Sequence, residues 1–115
     1  MIDTSAYDKL SKLLVEERIP CAILDKDAFD HNLDTVGSNL KAKGKTMRIC
    51  TKSVRVHELV KQIEAQDFVN GVFAFNAAEL LFLTETYKFK DILLGYPTLS
   101  PVDVECLCDA AKVNG

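Results

Sequence analysis

Two hydrophobic periods alternate along this chain. In "AYDKLSKLLVEE" (6–17), Leu10, Leu13 and Leu14 fall at helical spacing with Lys and Glu between them, which predicts an amphipathic leader helix within residues 1–17. The next run, "IPCAILD" (19–25), is apolar on both sides and bounded by Pro20 and Asp25, the pattern of a strand buried on two faces. "KDAFDHNLDTVGSNLKAKG" (26–44) returns to the helical period through Phe29, Leu33, Val36 and Leu40. Asp27 is expected as its N-cap and Gly44 as its terminator. The alternation then repeats: strand "TMRIC" (46–50), helix 55–65 presenting Val56, Leu59, Val60 and Ile63, strand "GVFAF" (71–75), helix 77–88, strand "DILLGY" (91–96) and helix 101–113. The last helix is expected to open on Ser100 as cap and Pro101 at its first position.

Four strands each followed by a helix make the class α/β. Such strands run parallel, joined by right-handed crossovers, because a tight turn joins only antiparallel neighbours. Two architectures use the unit: an open doubly wound sheet and a closed barrel of eight strand–helix pairs. Four pairs are half a barrel, which alone would leave strand edges and an apolar face uncovered. The pattern therefore predicts either a small open sheet or the first half of something about twice as long. The closing "AAKVNG" is a helix exit that equally well leads into another strand.

With 48% hydrophobic and 27% charged residues, the composition is that of a folded domain rather than a disordered chain. A net charge of -3 gives no electrostatic footprint for nucleic acid, and the apolar runs are too short for a bilayer. The opening residues lack the basic start, apolar stretch and small-residue site of a secretory signal, so a cytoplasmic location is expected. The four cysteines are then expected as reduced thiols. Cys106 and Cys108, two apart on a helix, point to different faces and make a poor metal clamp; core or half-buried packing is expected for them and for Cys21 and Cys50.

Chemistry gathers at the carboxyl ends of the strands in parallel α/β folds, and Lys52 lies there, just past "MRIC". An ammonium partly desolvated at the mouth of a sheet loses its proton more easily, and a neutral amine condenses with a carbonyl to a Schiff base. Against this stands the plain alternative of a solvated lysine, one of 14 basic residues. Asn76 after "GVFAF" and Tyr96 at the end of "DILLGY" point to the same crevice in a barrel. Arg55 suits a carboxylate or phosphate, or simply water, at the opening of its helix. His57 and His31 read as surface or core filler, and Glu79 as a first-turn acid favoured by the helix dipole. No G-x-G phosphate cradle occurs.

The segments "IPCAILDKDAFDHNLD", "RICTKSVRVHELV", "GVFAFNAAELLFL" and "DILLGYPTLSP", in order and spacing across residues 18–112, resemble the alanine racemase N-terminal domain superfamily. The branch they are most similar to is that of D-threonine aldolase and D-serine dehydratase-like proteins. The resemblance implies a (β/α)8 TIM barrel of which residues 18–115 form the first half, four parallel strand–helix units after the leader, with the remaining barrel and a C-terminal β domain beyond. It implies pyridoxal 5′-phosphate carried on Lys52 as an internal aldimine, with Arg55, Asn76 and Tyr96 as candidate cofactor-binding residues. The chain departs from the branch at Cys50, Val54 and Arg55, where two histidines and a lysine are usual, which bears on the substrate.

What the resemblance implies is therefore a lyase or racemase acting on a D-amino acid, a homodimer at full length; charge and run length already argue against nucleic acid and membrane as partners. The 115 residues alone are expected to be inactive. Phosphate loops and any divalent metal ligands are expected beyond residue 115; no metal site is expected within the chain. Two other readings remain: a non-enzymatic pyridoxal phosphate carrier on the same barrel, and an unrelated small α/β domain that mediates protein contacts.

Overall fold

The computed structural model describes residues 4–114; the first three positions of the expected leader and Gly115 lie outside them. The described elements are α1 (Ser5–Leu13), α2 (Lys26–Ala42), β1 (Met47–Cys50), α3 (His57–Glu64), β2 (Val69–Ala74), α4 (Ala77–Phe82) running into a π-helical stretch (Leu83–Tyr87), β3 (Ile92–Leu94) and α5 (Pro101–Asn114). They divide into two compact units, one up to His31 and one from Asn32 onward.

In the first unit α1 stops at Leu13, four residues before the expected end. Glu16 and Glu17 would otherwise place two carboxylates at the negative end of the helix dipole. No side chain of α1 is buried. The expected buried strand 19–25 does not form: the stretch carries no ladder, and Ile19, Ile23 and Leu24 are 73%, 53% and 47% exposed. A strand exists only through a neighbour that takes its N–H and C=O groups, and among the described residues this unit holds no other strand. Cys21 is consequently exposed rather than packed. The cap of α2 is Asp25, not Asp27: Asp25 Oδ1 accepts the Ala28 N–H at 3.0 Å, the bond an N-cap makes to the third helical residue.

At the other end of α2 the expectation holds. Gly44 takes φ +59°, its N–H bonds Lys41 O, and the Lys45 N–H reaches back to Leu40 O, a Schellman closure that only a residue without Cβ adopts at no cost. The packed face of α2 differs from the expected stripe, however. Val36 is exposed, and Gly37 is buried instead because the Phe68 ring lies where a Cβ would stand.

The second unit is α/β around a three-stranded, all-parallel sheet in the order β1–β2–β3. Successive right-handed crossovers that step the same way across a sheet place their helices on one face. Burial agrees: Ile49, Val72 and Ile92 pair in one row, and the first two are buried with Val60 and Ile63 of α3 and Leu80 and Leu83 beyond β2. The next row, Cys50, Phe73 and Leu93, lies on the opposite face and is only partly covered, with Leu93 49% exposed. Among the described residues no closed barrel is present, and three strands form where four were expected.

One irregularity sets the faces. Met47 pairs with Val69 but Ile49 with Val72, so three residues of β2 match two of β1. Gly71, at φ +123°, lies inside this bulge.

Candidate functional site

The site is built from three strand ends. The Thr51 N–H bonds Phe73 O at 3.2 Å and carries the ladder one residue past β1, so Lys52 is the first residue free of it. Across the sheet, Gly95 N–H to Ala74 O at 2.8 Å does the same for β3. Lys52 therefore stands at the carboxyl edge, as expected. It is exposed rather than desolvated, and its Nζ lies 5.0 Å from the centroid of the Phe75 ring. Phe75 in turn meets Tyr96 edge to face at 4.9 Å, and Tyr96 is 60% exposed. Lys52, Phe75 and Tyr96 form a row along that edge, one from beyond each strand. Phe75 was not singled out in the sequence; its place as the residue closing "GVFAF" was the available signal.

Beneath the row sits a polar lock. Glu79 accepts the Thr51 hydroxyl at Oε1 (2.8 Å) and the Phe75 N–H at Oε2 (2.7 Å), while its own N–H goes to Asn76 Oδ1 at 2.8 Å. This is close to a capping box: the N-cap side chain serves the third helical amide, and the acid at that position reaches back. Asn76 is thus the cap of α4, with its carbonyl oxygen engaged and its amide hydrogens left to donate. Glu79 does more than favour a helix dipole. It ties α4 to the last turn of chain before Lys52, where Thr51 is 1% exposed.

Arg55 does not open a helix, because α3 starts two residues later at His57. Its Nε donates to Lys52 O at 3.4 Å, and among the described residues no ion pair engages its guanidinium. Arg55, His57, Asn76 and Glu79 line a cleft of about 410 Å³ with Thr51, Phe75 and Phe82. His57 is held by rings, 5.4 Å from Phe82 and 4.6 Å from Tyr87, so the filler expectation describes it in part: it packs, and it also borders the cleft. His31 is exposed in the first unit.

The four cysteines are unpaired; Cys50 and Cys106 are half-buried, whereas Cys108, like Cys21, is exposed where packing was expected. Among the described residues no group of His, Cys, Asp or Glu is placed to hold a metal, and no helix is long and apolar enough to cross a membrane. Comparison with known proteins finds no matching family model, no matching curated protein and no matching solved structure.

Proposed function

We propose that this chain is the N-terminal part of a pyridoxal phosphate-dependent enzyme, a lyase or racemase acting on D-amino acids, that holds its cofactor covalently through Lys52. The sheet is read as an arc of a (β/α)8 barrel. Strand order that follows chain order, with the crossover helices on one face, supports the arc over a doubly wound sheet, whose order reverses at a switch point.

The observation that carries the reading is the Lys52–Phe75–Tyr96 row at the carboxyl edge. An amine with no acid partner among the described residues, set beside two aromatic rings, fits an aldehyde on a flat pyridine ring. When bound, the cofactor supplies an electron sink for the substrate's Cα. Lys52 Nζ provides the nucleophile and afterwards the base that takes or returns a proton. Phe75 and Tyr96 give the ring an apolar wall, Asn76 offers amide hydrogens, and Arg55 brings a second cation to the same rim.

The test is to incubate the protein with pyridoxal phosphate, reduce with borohydride and map the modified peptide by mass spectrometry. The adduct is expected on Lys52 and absent from Lys52→Arg. Labelling spread over several lysines, or confined to a different one, overturns the reading.

A further inference from the structure

The cleft beside Lys52 has an electrostatic character of its own. Its lining holds one cation, Arg55, and one anion, Glu79, with an imidazole, a side-chain amide and two phenyl rings between and around them. The two charges do not pair with each other, for no ion pair joins Arg55 to Glu79. Arg55 is tethered through Nε alone, which leaves the fork of its terminal nitrogens for a carboxylate. Each Glu79 oxygen accepts one bond from the protein and keeps a second lone pair. At about 410 Å³ the space is at the lower end of small-molecule sites, and its rings Phe75 and Phe82 favour an apolar group.

We infer that this cleft is a binding site for a free α-amino acid as its zwitterion, with the carboxylate on Arg55, the ammonium toward Glu79 and an apolar or aromatic side chain against Phe75 and Phe82. A carboxylate or an amine alone would satisfy one charge and desolvate the other without a partner, so the cleft selects molecules that carry both. Binding itself needs no cofactor. Its use as the place from which a substrate approaches Lys52 rests on the reading proposed above, since the Phe75 ring is shared by the cleft and the Lys52 contact.

Titration of the isotope-labelled protein with D-phenylalanine, 3-phenylpropionate and phenethylamine, without cofactor, separates the possibilities by NMR. Saturable shifts at His57, Phe75 and Asn76 are expected for the amino acid, with each single-charge analogue at least about tenfold weaker. Arg55→Gln, an exposed position, is expected to weaken the amino acid about tenfold while leaving the amine unchanged. Equal binding of the three probes, shifts centred instead on Lys61, Lys88 and Lys90 at the other end of the sheet, or no saturable shift overturns the inference. Because the titration omits pyridoxal phosphate, a failed borohydride label with intact titration removes only the cofactor reading, and the reverse result removes only the zwitterion site.

Discussion

Arg48 and Asp91 form a two-pronged ion pair, Nη1 to Oδ1 at 2.8 Å and Nη2 to Oδ2 at 2.9 Å, that spans β2 from β1 to the residue before β3. Hydrogen bonding from Arg48 holds the Asp91 carboxyl below the ordinary aspartate range, helped by the guanidinium charge and opposed by desolvation. A carboxyl whose pKa is lowered on folding adds stability above its unfolded value and loses it as pH falls through the folded one. Stability is therefore expected to decline below about pH 4, and Asp91→Asn to flatten that decline, as measured by urea unfolding across the acid range. The Asp91 side chain is 60% exposed and that of Arg48 32%, so salt is expected to weaken the effect.

Gly71→Ala is expected to be severe. A Cβ there would sit 2.1 Å from the Asp91 carbonyl oxygen, which already accepts the Val72 N–H at 3.0 Å, and φ +123° is strained for any L side chain. Backbone strain and the lost ladder bond together predict a loss of about 3 kcal/mol or more in denaturant unfolding. A change under about 1 kcal/mol would contradict the bulge geometry.

The lock under Lys52 makes a different prediction. Glu79→Gln keeps one acceptor oxygen of two, and Thr51→Val removes the hydroxyl that Glu79 accepts. Each is expected to cost about 1–2 kcal/mol, with a coupling of roughly 1 kcal/mol in the double-mutant cycle because both change the Thr51–Glu79 contact. Strict additivity would show that the hydroxyl does not depend on the acid.

Leu83 is fully buried where α4 widens into its π-helical stretch. Truncation to Ala leaves a cavity where this stretch packs on α5 and is expected to cost about 3 kcal/mol in thermal or urea unfolding. The exposed Val102 and Leu99, by contrast, are expected to tolerate Ala within about 0.5 kcal/mol.

Period alone located most of the second unit. "MRIC", "GVFAF" and "ILL" carry the compact apolar signature of parallel strands, and each lies within two residues of its expected bounds. "IPCAILD" carries the same signature and forms no strand, because apolar content is local whereas a ladder needs a neighbour. Lys52, Asn76 and Tyr96 were readable as strand-end positions, since topology places them. The bond from Thr51 to Glu79 was not, for it depends on how α4 closes on β1, a relation 28 residues apart that spacing does not encode. Gly37 was missed for a related reason: helical periodicity finds apolar side chains, and here the packed group is a bare backbone under the Phe68 ring.

The extra residue at Gly71 reverses the alternation of everything downstream of it in β2. With even pairing, Phe73 and Phe75 would join the helix-facing set, and Val72 and Ala74 would turn outward. The aromatic surface beside Lys52 is thus chosen at the opposite end of its strand, by the one residue that β2 holds in excess of β1.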